Sequence, residues 1–175
     1  MIDVSVSYNN YKFLGHEFLT WLWYIIENDR SKLLNEEGEQ ISVEIGNRIV
    51  IENLSQDETV ESITIKGNDA GLEEGKISLK KGAVVTDIHL VYKDGDHEWL
   101  FNLKGESMNI SGLKTPETAK IEKKDELEGA VLEKAFLCDK PIKLMDTLFN
   151  NFIKLRLTDT WQKNTVLKIK SWIYR

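Results

Sequence analysis

The chain of 175 residues is 41% hydrophobic and 30% charged, a balance typical of a folded globular protein and not of a disordered one. Its length predicts a single domain over residues 1–175. One cysteine excludes an internal disulfide framework, and the three histidines lack the spacing of a zinc site, so the sequence predicts no metal and no other cofactor.

Charge is divided unevenly along the chain. The net charge is −6, yet residues 139–175 carry eight basic and three acidic side chains, a local charge of +5 against −11 for the rest. Such an asymmetry is compatible with a binding surface or with a solvated helix face. The N-terminus has no basic signal region, and the longest apolar segment is too short to cross a bilayer, which predicts a cytoplasmic protein.

The N-terminal region combines a weak alternation with an apolar helix. Residues 1–12 alternate between apolar and polar side chains, which is compatible with an edge strand or an ordered arm. A helix is predicted over about 13–28, and its residues 15–26, which include Trp21 and Trp23, are apolar almost all the way round. A helix without a polar face must be covered. The sequence therefore favours a buried central helix.

The central region, about 41–112, is predicted to form a sheet. Gly46-Asn47 indicates a tight hairpin turn between strands at 43–45 and 49–51. The apolar registers of these two strands do not match, which leaves a bulge or a longer turn open. A polar loop and a third strand at 60–65 follow.

A short helix is predicted over residues 69–81, and Gly82 is suited to end it. Residues 108–110 indicate a further short strand. Residues 115–124 are charged and poor in apolar side chains, so they are predicted to form a linker or an exposed loop.

Asp94-Gly95 is the strongest turn signal in the chain. As a two-residue loop it pairs Lys93 with Asp96, and the strand period of two then places alternate side chains on a core face. The predicted pairs on that face are Tyr92 with His97, Leu90 with Trp99, Ile88 with Phe101 and Thr86 with Leu103.

The last region is predicted to be helical, over about 125–175. Apolar or small residues recur at spacings of four and three, as in a sustained helical stripe. The stripe consists of Leu127, Val131, Ala135, Cys138, Ile142, Met145, Phe149 and Phe152. It keeps its phase across Pro141, which favours one kinked helix over a break near Leu137. A short final helix is predicted around 166–173.

No motif in the chain argues for catalysis. Gly75-Lys76 lacks the hydroxyl residue and the upstream glycine of a phosphate-binding loop. Cys138 lies in the helical stripe, where a buried inert thiol is expected. His97 flanks a hairpin turn and is expected to be structural or exposed. The sequence therefore predicts a protein that is not an enzyme.

Four stretches together resemble the recombination-associated RdgC family of bacterial DNA-binding proteins. The stretches are Gly15-His16-Glu17-Phe18-Leu19-Thr20-Trp21-Leu22-Trp23; Leu72 through Gly75-Lys76 and Val84-Val85-Thr86 to Trp99-Leu100-Phe101; Ser111-Gly112-Leu113-Lys114-Thr115-Pro116; and Asp146-Thr147-Leu148-Phe149 with Phe152, Leu155-Arg156-Leu157 and Trp161. The resemblance covers only the C-terminal part of that family. Its members are usually dimers that close into a ring, hold duplex DNA without sequence preference and restrain recombinase loading.

The resemblance implies an α+β fold, here an antiparallel sheet with an N-terminal apolar helix and a long, Pro-kinked C-terminal helix. It also implies a non-catalytic accessory protein of recombination that binds duplex DNA, is a homodimer and is associated with the nucleoid, without a membrane or small-molecule partner. The candidate DNA-binding residues are Lys80, Lys81, Lys104, Lys114, Lys154, Arg156, Lys163, Lys168 and Lys170. The alternative is a protein-interaction module, an adaptor or inhibitor of phage or mobile-element origin without DNA affinity.

Overall fold

The computed structural model describes residues 4–53, 62–66, 69–118 and 127–175, and side chains over 13–53, 62–65, 73–118 and 127–175. The described helices are α1 (Val4–Asn28), α2 (Asp69–Lys80), α3 (Leu127–Arg156) and α4 (Val166–Ile173). The described strands are β1 (Ser42–Glu52), β2 (Ser62–Lys66), β3 (Val84–Asp94), β4 (His97–Lys104) and β5 (Asn109–Lys114). The predicted strand residue Val60, the loop before it and the end of the predicted linker lie outside the described residues.

The strands form one sheet in the order β2-β1-β3-β4-β5, and every neighbouring pair is antiparallel. An antiparallel sheet combined with helices is the predicted α+β class, which is confirmed. The short helix α2 also forms as predicted, and Gly82 follows it with a φ of 91°. Glycine adopts this left-handed conformation without a Cβ clash, which suits the end of a helix.

The predicted hairpin turn at Gly46-Asn47 is wrong, because both residues lie inside the continuous strand β1. The register of β1 against β3 shifts between Ile45 and Ile49, so the strand carries a bulge there. This bulge explains the mismatch of apolar registers in the sequence. A Cβ on Gly46 would lie 1.8 Å from Nδ1 of His89, so a larger residue would require the His89 ring to move. The same Nδ1 accepts the Asn47 backbone N–H at 3.2 Å.

The β3–β4 hairpin forms, but its register differs by two positions from the predicted one. The last pair is Asp94 with His97, so the loop consists of Gly95 and Asp96. Gly95 has a φ of 57° at the first loop position, where a type II′ turn needs glycine. A shift of two positions returns each side chain to its original face. The predicted core face is therefore right, and it is buried at Ile88, Leu90, Tyr92, Trp99, Phe101 and Leu103.

α1 is the buried centre of the protein, as predicted. Its apolar side chains from Phe18 to Ile26, the half-buried Tyr24 excepted, are at most 3% exposed. On one side α1 touches the β4–β5 turn backbone to backbone, since a Cβ on Gly15 would lie 1.8 Å from the carbonyl oxygen of Gly105. One turn further along α1, the ring centroid of Phe149 on α3 lies 5.3 Å from that of Phe18.

α1 starts earlier than predicted. Residues 4–12 belong to this helix, so an edge strand or an ordered arm is wrong for them. No proline or glycine interrupts the chain between Val4 and Leu14. A helix that has formed extends by one backbone hydrogen bond for each residue fixed, which favours continuation over a separate strand.

α2 and α4 meet α1 around the carboxylate of Glu27. This carboxylate accepts hydrogen bonds from the indole N–H groups of Trp23 at 2.6 Å and Trp172 at 2.8 Å. Nζ of Lys76 on α2 lies 3.4 Å from the same group. A Cβ on Gly75 would lie 2.8 Å from the Trp23 ring, so α2 packs closely on α1. The three helices are therefore joined by polar and aromatic contacts.

Candidate protein-interaction surface

α3 is one continuous helix of 30 residues, but only its second half is packed into the protein. Its continuity through Pro141 agrees with the prediction of one helix in place of two, while the kink stays a prediction. The buried side chains of α3 are Leu137, Pro141, Leu144, Met145, Leu148 and Phe152.

Pro141 is tolerated inside α3 because a side chain replaces the hydrogen bond that it removes. A helical proline has no N–H for the carbonyl four residues earlier, which here belongs to Leu137. The indole N–H of Trp99 on β4 donates to this oxygen at 2.8 Å. Nζ of Lys140 lies 5.3 Å from the centroid of the same indole and pairs with Asp94. These contacts hold α3 against the β3–β4 hairpin where the helix leaves the core.

The first half of α3 carries an apolar stripe that faces solvent. We call the α3 seam the five residues Leu127, Val131, Ala135, Cys138 and Ile142. Leu127 is 49% exposed, Val131 is 59% exposed and Ile142 is 46% exposed. Ala135 is exposed as well, and Cys138 is half-buried where the sequence predicted a buried thiol.

The α3 seam and the buried side of α3 are two different faces of one helix. At 100° for each residue, their centres lie about 90° apart round the helix axis. The single stripe predicted from Leu127 to Phe152 is divided between solvent and core, because Met145 and Phe152 are buried while four of the five seam positions are exposed and Cys138 is half-buried. The helical period finds both faces, but only the packing of the domain determines which one is covered.

Further side chains border the α3 seam. Leu132, which is 64% exposed, widens the apolar surface on one side. Phe136 is 61% exposed but lies about 140° from the seam centre, on the side of α3 that faces residues 35–42. At 100° for each residue, Lys134 and Asp139 lie on opposite flanks of the seam. Asp139 pairs with Lys143 at 2.7 Å, and this hydrogen bond raises the pKa of the lysine. The seam is therefore an apolar strip with a cation on one side and an anion on the other.

Two cavities lie elsewhere on the helices. One of about 780 Å³ separates α3 from residues 35–42, and charged side chains such as Glu36 and Lys140 line it. The other, of about 520 Å³, lies between the middle of α1 and α4 and is lined by apolar groups such as Trp161 and Ile169. The first cavity places polar groups along the side of α3 that faces away from the seam.

The nine basic residues predicted to contact DNA do not share one surface. Arg156 pairs with Glu17 at 2.6 Å, and the hydrogen bond raises the pKa of the guanidinium. Lys163 pairs with Asp159 at 2.6 Å. Both charges are partly neutralised by these carboxylates. Lys154 is exposed near the end of α3.

A second group of the predicted basic residues lies where α2 ends near α4. Nζ of Lys80 is 5.8 Å from the ring centroid of Tyr174, which follows α4. Lys170 lines the apolar cavity together with Leu79. The members of this group are Lys80, Lys81 and Lys170, and all three are exposed. Lys168 is exposed as well but lies about 200° from Lys170 round the axis of α4.

The remaining pair, Lys104 and Lys114, lies on the sheet face opposite to α1. Arg48 shares that face, and Nη2 of Arg48 donates to Oδ1 of Asn102 at 3.3 Å. Burial lowers the pKa of His89, and the charges of Arg48 and Lys114 lower it further. Arg48 is not among the residues predicted to contact DNA, because the predicted hairpin turn at Gly46-Asn47 puts it directly after that turn. Only the strand pairing of β1 with β3 indicates its position.

Comparisons of the chain with family models, curated proteins and solved structures find no match. The likeness to the RdgC family stays a prediction from the residues quoted above. Within the described ranges, no helix combines the length and the apolar character that crossing a membrane requires. No group of three or more His, Cys, Asp or Glu side chains is placed to hold a metal ion in the part of the chain that the structure describes.

Proposed function

We propose that this protein is a non-catalytic, cytoplasmic protein-interaction module that binds a helix of another protein chain through the α3 seam. One observation carries the proposal. A regularly spaced apolar stripe faces solvent in a protein whose other long apolar helix is covered from Phe18 to Ile26. Contiguous exposed apolar surface marks interaction sites in soluble proteins.

The spacing of the α3 seam suits a helical partner. Its residues follow at intervals of four, four, three and four, and alternation of four and three lets two helices pack side by side. Four large apolar side chains, those of Leu127, Val131 and Ile142 with the bordering Leu132, are each about half exposed. Their complete burial contributes on the order of 5 kcal/mol. An apolar face on the partner adds a similar amount, which together exceeds the lower estimates of about 4 kcal/mol for the cost of association.

Site-specific photo-crosslinking tests this proposal in the cells that make the protein. A benzoylphenylalanine at Val131 is expected to form a covalent adduct with a protein partner. The same group at Glu133, which is exposed on the opposite side of α3, is the matched control. Adducts at neither position, or equally at both, would show that the α3 seam has no specific partner.

Duplex-DNA binding without sequence preference, as an accessory to recombination, is the second candidate. Arg48, Lys104 and Lys114 favour it, because they share one sheet face and form no ion pair with any described residue. Nonspecific DNA affinity depends on such side chains meeting phosphates. The carboxylate of Asp87 beside Lys104 and the net charge of −6 rank this function second.

Fluorescence anisotropy with a labelled duplex at low salt tests the second candidate. Arg48→Gln and Lys114→Gln are each expected to weaken binding and to reduce its salt dependence by about one unit of slope. Lys163→Gln, whose ammonium is paired with Asp159, is the control. The DNA function is rejected if the unaltered protein does not bind at micromolar concentration.

A further inference from the structure

We infer that the helix seated on the α3 seam is α3 of a second copy of this chain, and that the two helices run parallel about a two-fold axis. The inference rests on the proposed function of the seam. In a two-fold pair the same patch meets itself, so it must be complementary to itself. The α3 seam meets this condition in its spacing, its charges and its accessibility.

The spacing of the seam lets each residue face its own counterpart in a parallel pair. Val131, Ala135, Cys138 and Ile142 alternate at four, three and four residues, which is the a and d spacing of a two-stranded coil. Ala135 lies in the middle of this run, and small side chains at a contact let helix axes approach more closely. Met145 continues the spacing but is only 3% exposed, so the pairing ends where α3 enters the core.

The flanking charges distinguish parallel from antiparallel pairing. With Ala135 at position a and Cys138 at position d, Lys134 occupies position g and Asp139 occupies position e. In a parallel coil a g residue meets the e residue of the following heptad on the other helix. Lys134, which donates to Thr115 in its own chain, then lies beside Asp139 of the second copy, twice for each dimer. Asp139 also keeps its pair with Lys143. An antiparallel pair brings Lys134 beside Lys134 and Asp139 beside Asp139, which is repulsive.

A second helix fits on the seam without displacing the core. The buried face of α3 lies about 90° from the seam round the helix axis, so each domain extends to the side of the helix pair. Val131 is 59% exposed, so no described residue covers the seam at this level. Each copy can therefore pair through its α3 seam without a change in its own fold.

Disulfide cross-linking of the full chain tests the inference, because Cys138 is the only cysteine. Mild oxidation is expected to link most chains into covalent dimers through Cys138. In a Cys138→Ser background, Val131→Cys and Ile142→Cys should each link as well, since every level of a parallel pair faces itself. Antiparallel helices bring at most one of these two levels together. Glu133→Cys in the same background is the control and should stay unlinked.

The outcomes separate the inference from the proposed function. Links at Val131→Cys and Ile142→Cys, with none at Glu133→Cys, support parallel self-pairing. Links at only one level, or at none, overturn it. If the photo-crosslinker at Val131 then captures a different protein, the interaction module stands and only the identity of its partner is wrong. If that crosslinker also captures nothing, both proposals fail. Unchanged circular dichroism of each variant shows that the domain has folded.

Discussion

The two apolar helices of this protein differ in what covers them. The apolar side chains of α1 from Phe18 to Ile26 are nearly inaccessible, the half-buried Tyr24 excepted, whereas the large residues of the α3 seam are 46–59% exposed. α1 lies between the sheet and the other helices. α3 leaves the core beside Trp99, so its first half has no described neighbour on the seam side. Apolar periodicity thus shows that a face needs a cover, but it does not show whether the same chain supplies one.

Replacing a phenylalanine by alanine should change the free energy of unfolding far more on α1 than on α3, and this is the largest effect that we expect. Phe18→Ala should lower the free energy of unfolding by about 3–5 kcal/mol, because it opens a cavity in a closed core. Phe136→Ala should change it by less than about 0.5 kcal/mol, because the ring is 61% exposed. Urea unfolding at a concentration that keeps the chain monomeric measures both. Similar losses in the two variants would show that α3 is packed as closely as α1.

Replacing a glycine by alanine compares how closely the backbones of α1 and α3 are packed. Gly15→Ala should cost about 1–3 kcal/mol or more, because its Cβ would lie 1.8 Å from the carbonyl oxygen of Gly105. Gly129→Ala on α3 meets no atom within 4 Å and should stabilise the helix by up to about 1 kcal/mol. Thermal unfolding followed by circular dichroism distinguishes them. A stable Gly15→Ala variant would be incompatible with close contact of α1 and the turn.

The point where α3 leaves the core is tested by a double-mutant cycle. Trp99→Phe should cost about 1–3 kcal/mol, because the Leu137 carbonyl loses its donor. In a Pro141→Ala background the cost should be smaller, since residue 141 then supplies a helical N–H to that carbonyl. Denaturant unfolding of the four proteins gives the coupling. Equal costs in both backgrounds would mean that the indole does not compensate for the proline.

The sheet face opposite α1, which carries His89, is less buried than α1 and more buried than the α3 seam. The pH dependence of stability due to His89 is the smallest effect that we expect. Burial, and then the charges of Arg48 and Lys114, lower the pKa of His89 below 6.5. Because the folded state binds this proton more weakly than the unfolded chain does, the stability due to the neutral ring is present above pH 6.5. It is lost as the pH falls through the lower folded pKa.

His89→Gln should remove this part of the pH dependence of stability. An NMR titration of the unaltered protein should place the midpoint of the His89 ring below the ordinary value of 6.5. A midpoint above that value would contradict the described surroundings of the ring.

The sequence predicts the features of this fold that depend on local pattern. α1 is recognisable because residues 15–26 leave almost no polar face. The faces of the β3–β4 hairpin follow from the strand period of two. The register of the hairpin does not follow from this period. Gly95 can supply the positive φ as the second residue of an Asp94-Gly95 loop or as the first residue of a Gly95-Asp96 loop. The bulge in β1 depends on His89, which lies 42 residues from Asn47 and is invisible to a local pattern.

The candidate site is predicted only in part for a related reason. The spacing of the α3 seam is visible in the sequence. Its exposure depends on where α3 stops packing against Trp99 and the β3–β4 hairpin. The position of Arg48 near Lys114 likewise depends on strand pairing across the sheet. These relations are properties of the assembled domain, and the residues involved lie far apart in the chain.

Sedimentation equilibrium tests most directly whether the α3 seam pairs with a second copy. The unaltered chain is expected to approach about twice its mass of 20.2 kDa as its concentration rises. Val131→Lys combined with Ile142→Lys should remain at the mass of one chain with an unchanged circular dichroism spectrum, while the Glu133→Lys control still pairs. An unaltered chain that stays at 20.2 kDa throughout, or a double variant that pairs as well as the control, would contradict the account.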